Sequence, residues 1–163
     1  MAEVKVGVIS DTHGNLPDEV FDAFDGVDHI LHAGDIGGVD LLTELQSLAI
    51  VTAVVGNTDG FEVRQQCPEV AELTLEGHTI VVVHGDRFGV PTPERLRGAY
   101  PQAQIIAYGH THQALVETIG DVSVINPGSA SAPKTGTRPS VGLITLARGR
   151  DPQLQLIQLS GRM

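Results

Sequence analysis

Val70-Ala71-Glu72-Leu73-Thr74-Leu75-Glu76-Gly77-His78-Thr79-Ile80-Val81-Val82-Val83 is where the chain changes its folding pattern. Two β-rich runs, 70–75 and 79–83, are separated only by Glu76-Gly77-His78, too little chain for a crossover helix, so they read as a hairpin. The chain before it follows another rule. Val4 to Ile9, Val27 to His32 and Ile50 to Val55 are apolar runs of strand length. Between them Leu16, Val20, Phe21 and Phe24, and then Leu41, Leu42, Leu45 and Leu48, recur at helical spacing, with Pro17-Asp18-Glu19 suited to a first turn. Strand, helix, strand, helix, strand implies right-handed crossovers and parallel pairing.

Beyond the hairpin, Thr92 to Arg97 suits a short helix between Pro91 and Gly98. Strands are expected at Ile105 to Tyr108, Ala114 to Ile119, Val122 to Ile125, Val141 to Ala147 and Leu154 to Leu159, and they read as an antiparallel meander. Parallel units followed by a meander point to two sheets packed face to face with helices outside, an α/β sandwich. The stretch from Asn126-Pro127-Gly128-Ser129 to Pro139 has no apolar period and reads either as a surface loop or as a loop bordering a site. No repeat or linker interrupts residues 1–163, which are expected to form a single domain.

Ten basic against twenty acidic residues give a formal charge of −10, which opposes non-specific binding to nucleic acid and to anionic membranes. No apolar stretch approaches the roughly 20 residues of a membrane span. A single cysteine, Cys67, excludes an intramolecular disulfide, and the chain enters a strand without a leader pattern, so a cytoplasmic location is expected. A homo-oligomer is compatible with the sequence.

The chemistry-bearing residues collect just past the ends of the apolar runs. Asp11-Thr12-His13 follows the first, Gly34-Asp35 the second, Gly56-Asn57 the third, His84 ends Val81-Val82-Val83, and Gly109-His110-Thr111-His112 follows Ile105-Ile106-Ala107. In α/β sheets sites form there. A His-x-His pair alone is a weak signal, but Asp11, His13, Asp35, Asn57, His84, His110 and His112 together offer two carboxylates, one amide oxygen and four imidazoles. That set suits Mn, Fe, Zn, Co or Ni and is too rich in nitrogen for a dedicated Mg or Ca site. Seven ligands exceed what one open catalytic zinc takes and match two ions sharing a carboxylate, so a dinuclear centre is expected. The adjacent glycines permit positive φ and close backbone approach. His32 reads as a satisfied buried histidine, His29 as structural and His78 as an exposed hairpin residue, whereas Asp59 and Asp86 are candidates for orienting imidazoles.

Taken in order, Asp11-Thr12-His13, Gly34-Asp35, Gly56-Asn57, His84 and Gly109-His110-Thr111-His112 resemble the calcineurin-like metallophosphoesterase signature. The short chain and Ile125-Asn126-Pro127-Gly128-Ser129 resemble its compact prokaryotic branch of YfcE-like phosphodiesterases. The resemblance implies a four-layer αββα sandwich of two mixed β-sheets flanked by helices. It also implies hydrolysis of a small phosphate ester, most simply a phosphodiester, by a hydroxide activated between two divalent ions, with Mn the expected ion in vitro. By the same resemblance Asp11, His13 and His112 hold one ion, Asn57, His84 and His110 the other, and Asp35 bridges them; Asp35, Asn57 and His110 are also expected to serve the chemical step. Bound cations would reverse the negative local field that otherwise repels a phosphate.

One departure stands out, since the wider family usually has His after the Asn of the third motif, where this chain has Thr58. That His usually serves the leaving group. A second reading is a non-catalytic scaffold, because the same fold resembles a retromer subunit that works by protein contacts and has an incomplete ligand set. Metallo-β-lactamase-like and amidohydrolase-like hydrolases also use His-x-His, but Asp-x-His at strand one disfavours them, and the barrel form needs a longer chain.

Overall fold

A computed structural model describes residues 2–160. Strands β1 (Val4–Ile9), β2 (His29–His32) and β3 (Ile50–Ala53) pair in parallel, with α1 (Glu19–Ala23) and α2 (Val39–Gln46) as their crossovers. A further helix, α3 (Phe61–Gln66), leads to the expected hairpin of β4 (Val70–Leu75) and β5 (His78–Val83). A 3-10 turn (Asp86–Phe88) and α4 (Pro93–Ala99) precede β6 (Ile105–Ala107), β7 (Leu115–Ile119), β8 (Val122–Asn126), β9 (Ser140–Leu146) and β10 (Gln153–Gln158). Helix α4 starts where the sequence gives it a cap: the Thr92 side chain accepts the Arg95 N–H, and Pro93 opens the first turn.

The strands divide into sheets of order β10-β9-β1-β2-β3 and β4-β5-β6-β8-β7. This corrects the expected meander. Helix α4 lies between β5 and β6, which pair in parallel, and β6 also pairs in parallel with β8. After the β4–β5 hairpin, the antiparallel neighbours in sequence are β7–β8 and β9–β10, and the second pair leaves for the first sheet, where β9 runs antiparallel to β1. Both sheets are therefore mixed.

Period-two alternation distributes the side chains among layers. Val6, Val8, Leu31 and Ile144 of the first sheet meet Ile80, Val82, Ile105 and Ile125 of the second in a core between the sheets. Ile9 and Ile30 face outward and pack under Val20, Phe24, Leu42 and Val63 from the helices. Val81, Val83, Ile106 and Val124 turn the other way, toward Leu96 of α4. Helices, sheet, sheet and helix make the four-layer αββα sandwich. Because these strands are covered on both faces, they read as continuous apolar runs rather than as alternating ones.

Candidate metal centre

The loops after β1, β2, β3, β5 and β6 bring Asp11, His13, Asp35, Asn57, His84, His110 and His112 together at one edge of the sandwich. Among the described residues only six non-glycine positions have positive φ, and five of them are Asp11, His13, Asp35, His110 and His112. Such left-handed backbone costs about 1 kcal/mol or more per residue, and Asp and His tolerate it better than most. The expectation for the glycines is thereby refined. Gly34 and Gly85 do adopt positive φ, but Gly109 serves by its missing side chain: a Cβ there would lie 2.1 Å from Ser10 Oγ and 2.6 Å from Asp11 Oδ2.

Asp11 is fully buried. Its Oδ2 accepts hydrogen bonds from Ser10 Oγ (2.6 Å) and the His110 backbone N–H (3.1 Å), which aims Oδ1 at the imidazoles. Oδ1 lies 3.2 Å from His112 Nε2 and 3.9 Å from both His13 Nε2 and His84 Nε2. It is the one buried side-chain polar atom among the described residues with no hydrogen-bond partner. Asp35 Oδ1 accepts the Thr58 N–H at 2.9 Å, and its Oδ2 reaches His84 Nε2 at 3.2 Å and His13 Nε2 at 3.9 Å. Asn57 Oδ1 lies 3.0 Å from His84 Nε2. The His110 ring stands edge-on to that of His84, with centroids 5.1 Å apart. The donor atoms form two groups, Asp11 with His13 and His112, and Asp11 with Asp35 and His84.

Two backbone carbonyls decide which imidazole nitrogen faces inward. His84 Nδ1 donates to Ala33 O (2.7 Å) and His112 Nδ1 to Ala132 O (2.6 Å); a carbonyl can only accept, so each Nδ1 carries the proton. In a neutral ring the Nε2 is then a lone pair. Those lone pairs point at carboxylate and amide oxygens, an arrangement that repels unless a cation lies among them. The donor set therefore fits divalent metal ions on geometric grounds. Protons respond to the same field. Burial works to lower the His84 pKa, but the adjoining Asp35 carboxylate and the Asp11 charge outweigh it and raise it; His112 is raised chiefly by the Asp11 carboxylate beside it. For Asp35, burial pushes upward, yet the His84 and Thr58 hydrogen bonds hold it well below the usual carboxylate range.

The 126–139 loop borders this cluster. Ser129 Oγ donates to Asp11 O (2.7 Å), Ser131 Oγ donates to Thr12 O (2.6 Å), and the Asn126 amide donates to Gly109 O (3.2 Å) and Thr111 Oγ1 (3.0 Å). Asp59 does not orient an imidazole as expected. Its oxygens accept the Gly37 N–H (2.9 Å) and the Gly56 N–H (2.8 Å), tying the Asp35 loop to the Asn57 loop, while Arg64 Nε donates to Asp59 O (2.9 Å). Asp86 is exposed on the 3-10 turn. His78 is half-buried at the start of β5, its Nε2 3.4 Å from Ala147 O, rather than exposed. His29 pairs with Thr52 Oγ1.

His32 is fully buried with every polar atom placed. Thr12 Oγ1 donates to Ile36 O (2.8 Å), so it accepts from His32 Nε2 (3.0 Å), and His32 Nδ1 accepts the Gly34 N–H (3.1 Å). A second proton would meet the Gly34 donor head-on. Burial, against the pull of Asp11 and Asp59, lowers this pKa to about 4. The unfolded chain, with a pKa near 6.5, then binds a proton that the fold refuses. Stability is full above about pH 6.5 and lost as pH falls toward 4, by up to roughly 3 kcal/mol from this group. Urea unfolding at pH 7, 5.5 and 4.5 should show that loss, and His32→Asn should reduce its slope; an unchanged slope would remove His32 as the cause.

His110→Ala and His112→Ala should each lower ester turnover more than about 10-fold, whereas His78→Ala should leave it within about twofold. Equal losses across the three would contradict the placement of the first two in the cluster.

Residues 4–149 match the calcineurin-like phosphoesterase superfamily domain, and the chain belongs to that family. It is 38% identical over 151 residues to a probable metallophosphoesterase of Methanothermobacter thermautotrophicus, an alignment covering 86% of this chain and 85% of that protein. It is 33% identical over 165 aligned residues to the phosphodiesterase YfcE of Escherichia coli, covering 86% of this chain and 87% of that one. In fold it resembles Vacuolar Protein Sorting 29 of Cryptosporidium parvum, with TM-score 0.85, 22% identity and coverage of 98% and 94%. Membership implies use of divalent metal, and the cluster around Asp11 supplies candidate ligands. No helix among the described residues is long and apolar enough to cross a membrane.

Proposed function

We propose that the protein is a divalent-metal-dependent phosphodiesterase that hydrolyses small phosphate esters. The observation that carries this reading is Asp11 Oδ1, buried, unpartnered and ringed by three imidazole Nε2 atoms 3.2–3.9 Å away. Asp11, His13 and His112 would hold one ion and Asn57, His84 and His110 a second, with Asp35 reaching both sides through His13 and His84. Two such ions, when bound, lower the pKa of water and neutralise phosphoryl charge. The chain's own part is preorganisation. Ala33 O and Ala132 O fix the ring tautomers, Ser10 and the His110 N–H turn Asp11 inward, and Thr58 N–H fixes Asp35, so the ligands need no rearrangement when substrate arrives. Bound divalent cations would also reverse the local negative field that otherwise repels a phosphate from a protein of formal charge −10.

The scaffold reading rests on the likeness to Vacuolar Protein Sorting 29, which at this identity concerns the fold. The complete set of candidate ligands weighs against it. A panel of diesters and monoesters assayed with and without Mn²⁺ separates the two: turnover of diesters is expected only with metal, and no turnover of any ester by metal-loaded protein would favour the scaffold.

A further inference from the structure

Asp11 and His13 follow β1 of the first sheet, whereas His112 follows β6 of the second, so the geometry of this half of the cluster depends on how the two sheets are fixed to each other. The chain crosses from the second sheet to the first at this point, leaving β8 at Asn126 and entering β9 at Ser140. The crossing begins with a tight turn. Asn126 Oδ1 accepts the Gly128 N–H (2.9 Å), and Gly128 takes a left-handed φ of 77°. A Cβ at Gly128 would also lie 2.4 Å from Ser140 Oγ. The turn delivers Ser129, which is fully buried and whose carbonyl accepts the Ser140 N–H (3.1 Å).

The Ser129 hydroxyl has one proton and two lone pairs, and all three are used. It donates to Asp11 O (2.7 Å) and accepts the N–H groups of Ala132 (2.8 Å) and Ser131 (3.3 Å). Ala132 O in turn accepts His112 Nδ1–H (2.6 Å). One hydroxyl therefore connects the backbone of Asp11 to the ring of His112 through a single residue. Ser131 Oγ adds a second grip on Thr12 O (2.6 Å), between Asp11 and His13. The other candidate ligands are held by different groups. Ser10 Oγ and the His110 N–H turn the Asp11 carboxylate inward, Ala33 O holds His84, and the Thr58 N–H holds Asp35. Asp59 ties the Asp35 and Asn57 loops together through the Gly37 and Gly56 N–H groups.

Resting on the phosphodiesterase reading and its two ions, we propose that Ser129 is a positioning residue for one ion alone, the one that Asp11, His13 and His112 would hold. Asp59 serves the other, on the side of Asp35 and Asn57. Without the Ser129 hydroxyl the Ala132 N–H loses its acceptor, and Ala132 O no longer fixes the His112 ring. The loss falls on His112, because the Asp11 carboxylate keeps its own two donors. His84 and Asp35 keep their bonds to Ala33 and Thr58, so the second ion is spared. Each clamp thus sets the affinity for one ion, and the two affinities are tuned separately.

The test is a calorimetric titration of the chelator-stripped full chain with Zn²⁺. Ring ¹⁵N NMR assigns each binding step to His13 and His112 or to His84 and His110, and a melting curve is recorded on each protein. Ser129→Ala should weaken the step seen at His112 by about 10-fold or more and leave the step seen at His84 within about threefold. Asp59→Asn should do the reverse. A merely loosened fold would lower the melting temperature and weaken both steps alike. Ser131→Ala, which removes only the grip on Thr12 O, is the second serine variant should Ser129→Ala fail to fold, and it should weaken the His112 step about threefold. Equal loss at both steps, loss at the same step from Ser129→Ala and Asp59→Asn, or an unchanged His112 step in the serine variants would overturn the inference. So would uptake of fewer than two Zn²⁺ by the unaltered chain. Failure of the phosphodiesterase reading looks different: both ions would bind with this selectivity while metal-loaded protein turned over no ester.

Discussion

Asp35→Asn should lower diester turnover by more than about 100-fold and reduce the metal retained per chain, while leaving the fold intact. Asp35 is buried, and its two oxygens have separate duties. Oδ1 accepts the Thr58 N–H, which an asparagine carbonyl can still do. Oδ2 faces His84 and His13, where an amide nitrogen brings no charge and no lone pair. Partners one layer outside a metal's ligands typically cost 10–100-fold when removed, so a carboxylate reaching both sides of the cluster should cost more. Kinetics, metal content and a melting curve on the same preparation check this. Near-normal turnover with normal metal content would remove Asp35 from the centre.

The second large effect concerns Thr58. A hydroxyl cannot serve as a proton donor tuned near neutral pH in the way an imidazole can. The structure adds that the Thr58 backbone N–H donates to Asp35 and helps hold that carboxyl low. The leaving oxygen must then depart with little protonic help. Aryl diesters, which release a phenolate, should be hydrolysed faster than alkyl diesters by several orders of magnitude, with a steep dependence on leaving-group pKa. Thr58→His should flatten that dependence across substituted phenyl diesters, provided the metal content is unchanged. A shallow dependence in the unaltered protein would mean that another group, such as His13, already supplies the proton.

Much of this architecture was readable because burial on both sheet faces leaves an unbroken apolar run. Val81-Val82-Val83 ending at His84, and Ile105-Ile106-Ala107 ending near His110, mark both the strands and the positions of the candidate ligands. The pairing of the later strands was not readable. Nothing local in Ser140–Leu146 says that it leaves its sequence neighbours to lie against β1, since that choice is made by long-range packing of Ile144 and Leu146 between the sheets. Helix α3 escaped notice for a different reason: it is six residues long and buries only Val63, so it carries no apolar period.

At the site, the residues that offer metal-binding atoms were visible by type, whereas those that aim them were not. Ala33 and Ala132 act through backbone carbonyls, which any residue provides, so no residue type announces them. Asp59 was noticed for its charge and its place near Asn57, but its oxygens are spent on backbone N–H groups of two loops. The only sequence signal for that role is the pair of glycines it holds, Gly37 and Gly56. The serines of the 126–139 loop suggest a turn by composition, and only the fold shows that they grip the Asp11 and Thr12 carbonyls.

The most direct test of the central claim is a metal titration of chelator-stripped protein, with hydrolysis of bis(4-nitrophenyl) phosphate followed as Mn²⁺ is added. The account predicts no turnover in the stripped protein and recovery that saturates as two ions bind per chain. Turnover that survives stripping, or none at any level of Mn²⁺, would contradict it.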